Sequence, residues 1–163
     1  MEKIDQIQSR ILDLPSLNRM LAIWRFRGEK IVFTNGCFDI LHPGHIEYLS
    51  KAADLGDVLI IGLNSDESVR RLKGENRPVN SETARAQVLA SLRFVTAVVL
   101  FGEDTPYELI RTVQPDVLVK GGDYTAEEIV GNDIVTASGG QVVILGFLPG
   151  YSTSHLIRKI REQ

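Results

Sequence analysis

Residues 34–45 read TNGCFDILHPGH. The chain has three histidines in 163 residues, and two of them, His42 and His45, stand here, separated by Pro43 and Gly44. An apolar run, residues 30–34 (KIVFT), leads into the stretch, and a helical pattern leads out of it. Pro43 suits a first helical position. Ile46, Leu49, Ala52 and Ala53 then recur at helical spacing until Gly56 stops the run. The stretch is a strand-to-helix turn, and the fold class follows from whether that pattern repeats.

It does repeat. Short β-branched runs stand at 30–34, 58–63 (VLIIGL), 97–101 (AVVLF), 116–120 (DVLVK) and 142–145 (VVIL). Each is apolar throughout, which is how a strand covered on both faces reads. Between them Ser65, Ser81, Thr105 (before Pro106), Thr125 (before AEEIV) and Ser152 stand as helix N-caps. Strands separated by helices imply right-handed crossovers, so the reading is α/β: a Rossmann-like three-layer sandwich of about five parallel strands. Residues 1–28 lack strand character and read as an N-terminal helical arm, with helices over 4–12 and 16–27, packed on the sheet or used as a subunit contact.

Composition narrows the function. Hydrophobic content is 44%, charged content 24% and net charge −3, so no global positive field invites nucleic acid or a membrane surface. An anionic ligand would need local basic groups. The single cysteine, Cys37, allows no intramolecular disulfide and suits a reducing, cytoplasmic setting. The opening MEKIDQIQSRILDLPS has no unbroken apolar core of a signal peptide, and no run reaches the ~18 apolar residues of a membrane span.

In open α/β sheets ligands bind beyond the carboxyl ends of the strands. Four stretches fall there: TNGCFDILHPGH, LKGENRP, LVKGGDY and FLPGYSTS. The paired histidines could be surface or capping residues of a turn. With Asp39 and Cys37 they could also hold a metal, although no second Cys/His cluster completes a zinc set. The third reading is phosphate. Gly36 and Gly44 let backbone come close to a ligand, and a helix N-terminus favours anions. A GxxxxGK[ST] loop, a GxGxxG after the first strand and a GxSxG elbow are all missing from the sequence.

HPGH matches the HxGH signature of the nucleotidylyltransferase superfamily. The longer string GCFDILHPGH, with RLKGENRPV, LVKGGDY and GYSTS in the same order, resembles its cytidylyltransferase-like branch, and within it the heptose 1-phosphate adenylyltransferases. The similarity runs from about residue 27 to 160, so residues 29–163 would be the nucleotidylyltransferase domain. The resemblance implies ATP, with Mg²⁺, and D-glycero-β-D-manno-heptose 1-phosphate as substrates. ADP-heptose for lipopolysaccharide core and pyrophosphate would be the products. It further implies a separate sugar kinase upstream and a homodimer.

On the same footing His42, His45, Lys73 and Asp39 would be catalytic, with Asp39 orienting its neighbours or lying near Mg²⁺. Asn35, Gly36, Cys37, Phe38, Gly44, Lys120, Gly121, Asp123, Ser152, Thr153 and Ser154 would hold the nucleotide. Arg77 and Arg85 would take the substrate phosphate. One departure stands out: FLPGYSTS lacks the arginine that the branch's cytidylyltransferases carry ahead of the Ser-Thr turn. Two alternatives stay open. One is a sister enzyme of the glycerol-3-phosphate cytidylyltransferase kind, and the other is a nucleotide-binding module without turnover.

Overall fold

The structure, a computed structural model, describes residues 2–162. The outermost positions of the expected arm and domain, 1 and 163, lie outside the described residues. Five strands form one sheet: β1 (Ile31–Gly36), β2 (Val58–Asn64), β3 (Ala97–Phe101), β4 (Val117–Gly121) and β5 (Gln141–Leu145). Their spatial order is β3-β2-β1-β4-β5, and every pairing is parallel. The expected α/β fold class is found, with each strand within two residues of its expected bounds.

The chain winds outward from the central β1 to β3, then returns across the sheet to β4, which makes the β1/β4 boundary the switch point. β1 and β2 pair from Ile31↔Val58 to Gly36↔Leu63, whereas the β1–β4 ladder stops at Phe33↔Leu118. The last residues of β1 and β4 are thus left to face a cleft.

Alternation along the strands splits the core in two. Ile31, Phe33, Ile60, Val99 and Leu118 pack under α2 (Leu14–Phe26), α6 (Tyr107–Val113) and α7 (Asn132–Ala137). Val32, Ile61, Val98 and Val119 pack under α3 (Pro43–Ala53) and α5 (Glu82–Ala90). Burial on both faces explains why the runs do not alternate in sequence. In β2, Gly62 leaves room for the Phe33 ring, whose Cζ would lie 2.7 Å from an added Cβ.

The N-terminal segment packs on this sheet. After α1 (Lys3–Gln8), Ile11 forms a parallel bridge to Val98, and the Leu12 N–H donates to the Val98 carbonyl at 2.9 Å. Leu17, Leu21 and Trp24 of α2 are buried in the first core cluster.

Ser65, Ser81 and Ser152 cap α4 (Asp66–Lys73), α5 and α8 (Thr153–Arg161) as expected, each accepting from a backbone N–H three residues on. Two helix starts differ. The Ile110 N–H bonds the Pro106 carbonyl at 2.8 Å, so Pro106 caps α6 and Thr105 stays outside it. AEEIV makes only a 3₁₀ turn, Ala126–Glu128, closed by Thr125 and Glu128. Gly131, at φ 88°, ends that segment and opens α7, which the sequence reading did not anticipate.

Candidate active site

A cavity of about 760 Å³ opens at the carboxyl ends of the strands. It is lined by Asn35, Gly36, Cys37, Phe38, Asp39, His42, Gly44 and His45 from β1 and the following turn, and by Lys73 and Arg77 from the end of α4 and beyond. Lys120 and Gly121 of β4 complete it, with Ser152, Thr153 and Ser154 at the start of α8. The fold therefore gathers four stretches that are up to 119 positions apart in sequence, since Asn35 and Ser154 line one space.

The turn after β1 is shaped by Phe38, whose φ of 44° is left-handed and sparsely populated for a bulky residue. That reversal folds its ring back across Gly36, where an added Cβ would lie 2.9 Å from the ring, and brings it edge-on to His45 at 5.3 Å between centroids. Pro43 and the extended backbone of His42 then start α3. His42 and His45, three positions apart on one helical face, stack at 3.9 Å between centroids with 26° between their planes. Gly44 makes the stack possible, because a Cβ there would sit 3.0 Å from the His42 ring and 3.3 Å from the Tyr151 Cβ.

Burial holds His42 below the usual imidazole range. Burial, and then the neighbouring His42, lower His45 from 6.5 to about 4. Both rings are therefore neutral at pH 7. The Nδ1 atom of each is buried without a hydrogen-bond partner, which leaves Nε2 as the nitrogen that can meet the cavity. A buried Nδ1 beside a helix N-terminus favours a lone pair over a proton, so the proton belongs on Nε2, where it can be donated to an anion.

The low value for His45 has a measurable consequence. The unfolded chain takes up this proton near pH 6.5, whereas the folded chain does so only near 4. In that window the unfolded state binds more protons. The stability tied to His45 is therefore complete above pH 6.5 and lost as pH falls toward 4. Thermal melts from pH 7.5 to 4.5 are expected to show a shallower acid decline for His45→Gln than for the wild type; parallel curves would contradict the assignment.

Beneath the histidines, Asp39 is 4% exposed. Its Oδ2 accepts from Arg77 Nε at 2.7 Å and from the Val79 N–H at 2.8 Å, and its Oδ1 accepts from the Asn80 N–H at 2.9 Å. Burial pushes the Asp39 carboxyl up, but the Asn80 and Val79 N–H groups and the Arg77 guanidinium outweigh it and hold the group below its ordinary range. Both oxygens are thus committed to the strap of residues 77–80.

α8 presents its N-terminus across the cavity. Ser152 Oγ accepts from the His155 N–H at 3.0 Å, and Thr153 Oγ1 donates to the Ile40 carbonyl at 3.0 Å. The second bond joins the starts of α8 and α3, and the Tyr151 and His42 rings lie 6.1 Å apart. Lys120 is mostly buried, which lowers its pKa, and its Nζ lies 3.4 Å from Asn35 Oδ1. Burial raises the Cys37 thiol, against the pull of Lys73, Arg85 and Arg77.

Two expected site residues do not line the cavity. Asp123 is exposed beyond Gly122, and Arg85 is buried beneath the site with its donors engaged by protein oxygens. Several lining residues were not anticipated. Asn64 ends β2, and Asp104 and Thr105 follow β3, so the carboxyl-end rule could have found them. Phe147 and Tyr151 belong to FLPGYSTS, already placed beyond the last strand, whereas Tyr48, inside a helical pattern, carried no signal that separates a lining ring from a core ring. Tyr48 shares a 2.7 Å hydrogen bond with Thr34, and burial pushes its hydroxyl up to about 12.

Comparisons with known proteins agree with this geometry. A family model described as cytidylyltransferase-like matches residues 33–159. "Bifunctional protein HldE" of Wolinella succinogenes is 58% identical over 154 residues, covering 94% of this chain and 32% of that protein. The protein of the same name from Rhodopseudomonas palustris (strain BisB5) is 59% identical over 146 residues, covering 90% and 30%. The chain thus spans about a third of the length of the curated relatives it matches. Among solved structures, a lipopolysaccharide core biosynthesis protein from Thermoplasma volcanium GSS1 is 29% identical, with a TM-score of 0.59 over 74% of this chain and 98% of that one. The pantoate-beta-alanine ligase of Francisella tularensis, at 17% identity and a TM-score of 0.62 over 94% and 78%, shares the fold. With the HxGH turn at the switch point of a 3-2-1-4-5 sheet and the family model matching from β1 to α8, the chain belongs to the cytidylyltransferase-like family of nucleotidyltransferases.

Proposed function

We propose that the chain is an adenylyltransferase that joins ATP and D-glycero-β-D-manno-heptose 1-phosphate, yielding ADP-heptose for lipopolysaccharide core and pyrophosphate. The observation that carries the reading is the stacked, neutral His42–His45 pair at the start of α3, facing the start of α8 across a cavity with Lys73, Arg77 and Lys120. The ordered motifs that resemble heptose 1-phosphate adenylyltransferases support the substrate, as does the likeness to a lipopolysaccharide core biosynthesis protein.

The chemistry asks for little else. An oxygen of the sugar phosphate, already anionic, attacks the α-phosphorus of ATP. The bond from that phosphorus to the bridging oxygen breaks, and pyrophosphate leaves with the electron pair. No proton has to be removed from the attacking oxygen and no covalent enzyme intermediate is formed. The protein's work is alignment and stabilisation of charge on the equatorial and leaving oxygens. His45 and His42 donate from Nε2 to phosphoryl oxygens, and Lys73 and Lys120 neutralise the triphosphate. Arg77, its Nε held by Asp39, turns its remaining N–H groups to a phosphate. The starts of α3 and α8 favour the anion from two sides.

No group of three or more His, Cys, Asp or Glu among the described residues could hold a metal, and Asp39 is already committed. The protein offers no cage for Mg²⁺, which would arrive on the phosphates of ATP, as such ions commonly do. The sugar phosphate is supplied by a sugar kinase activity upstream, and the working form is a cytoplasmic homodimer, in keeping with the resemblance. Among the described residues no helix is long and apolar enough to cross a membrane.

The test offers ATP or CTP, with Mg²⁺, to the protein alongside heptose 1-phosphate or glycerol 3-phosphate, and measures pyrophosphate. Release with ATP and heptose 1-phosphate is expected. Release only with another pair would reassign the substrates, and calorimetric ATP binding without product would make the chain a binding module.

A further inference from the structure

Arg85 is the largest fully buried side chain among the described residues. A buried guanidinium is costly unless its N–H groups are satisfied, and removing it alone would strand the groups that accept from it. Four of its five N–H groups are engaged. Nε donates to the Asn80 carbonyl at 3.0 Å, Nη1 to the carbonyls of Cys37 at 2.7 Å and Asn64 at 2.8 Å, and Nη2 to Asp66 Oδ1 at 2.8 Å.

The four acceptors belong to four different segments. Cys37 lies in the turn that leads to His42 and His45. Asn64 ends β2. Asp66 opens α4, the helix that carries Lys73 at its end, and Asn80 closes the strap that bears Arg77. Asn80 is gripped from both sides. Its N–H and its side-chain amide donate to Asp39 at 2.9 Å each, and its carbonyl accepts from Arg85. One planar fork thus fixes the spacing between the histidine turn, the Lys73 helix and the Arg77 strap.

We propose that Arg85 is a positioning residue for phosphoryl transfer: without touching substrate, its guanidinium holds the histidine turn in register with the strap that presents Arg77. The inference rests on the functional reading above and assigns Arg85 a place in the same site. A lysine there would keep the charge but could not span four acceptors in a plane.

The experiment uses the full chain with Arg85→Lys and Arg85→Met, and with Val135→Ala as a buried change in the core cluster away from the cavity. Amide hydrogen exchange reports the strap directly. The Val79 and Asn80 amides, which donate to Asp39, are expected to exchange ~10-fold faster in Arg85→Lys, while the β2–β3 ladder keeps its protection. Turnover reports the consequence: kcat falls by ~10-fold or more with the KM for ATP within about two-fold, and Val135→Ala lowers Tm without either change. Arg85→Met leaves the four acceptors unanswered and is expected to lose kcat together with a clear fall in Tm; if it fails to fold, Arg85→Lys alone decides. Unchanged exchange at Val79 and Asn80, or wild-type kcat in Arg85→Lys, overturns the proposal. A wild type that releases no pyrophosphate from heptose 1-phosphate strikes the substrate assignment instead. The kcat comparison is then made with the acceptor that does support turnover, and the exchange contrast stands unaltered.

Discussion

Replacing His45 with alanine is expected to lower kcat by about 10²–10³-fold, the worth of one preorganised donor to a transition-state oxyanion, or roughly 3–4 kcal/mol. The fold should survive. The ring's neighbours are His42 at 3.9 Å and Phe38 at 5.3 Å, and it is neither part of the two core clusters nor hydrogen-bonded through Nδ1. The loss should therefore fall on kcat, with the KM for ATP changed by only a few-fold, because a contact made mainly in the transition state does not tighten the ground state. Steady-state pyrophosphate release on a variant with a wild-type circular dichroism spectrum checks this. A variant that retained its turnover would remove His45 from the reaction.

Asp39→Ala should act on stability as well as rate. The change strips the partner from Arg77 Nε and from the backbone N–H groups of Val79 and Asn80, leaving a guanidinium and two amides unanswered where the carboxyl side chain is fully buried. Breaking such a buried pair costs about 3–5 kcal/mol. For a chain of 163 residues that is a fall in Tm on the order of 10 °C. Turnover should drop with it, since the strap bearing Arg77 has lost one of its two anchors. Differential scanning calorimetry gives the first number and pyrophosphate release the second. Asp39→Asn, which keeps one acceptor oxygen, should fall between; a Tm within 2 °C of the wild type would refute the anchoring role.

Much of this was legible in the residues. Non-alternating apolar runs such as VLIIGL betray strands covered on both faces, and Ser65, Ser81 and Ser152 advertise helix starts because a short hydroxyl can satisfy a backbone N–H only there. The cavity-lining residues could be picked out because polar and glycine-rich stretches at the ends of apolar strands have no reason of their own to exist. What escaped was geometry that composition does not encode. Arg85 and Arg77 are alike as letters, and only the packing of α5 under the turn after β1 decides that one is buried beneath the site while the other lines it. Tyr48 looks like a core residue and is buried, yet it borders the cavity. AEEIV has helical propensity, but Gly131 at positive φ overrides it.

The bridge between Ile11 and Val98 bears on solubility. Val98 lies on β3, which has β2 on one side and, on the other, the segment around Ile11, whose Arg10 carbonyl accepts from the Val98 N–H at 2.9 Å. A strand at the border of a sheet is a template on which a foreign chain can add itself. By occupying those groups, a few residues ahead of α2 act as a guard rail that denies neighbouring molecules a place to zip on. Trimming the protein to its first strand, β1, would expose that border, so any expression boundary chosen for this fold belongs upstream of Arg10.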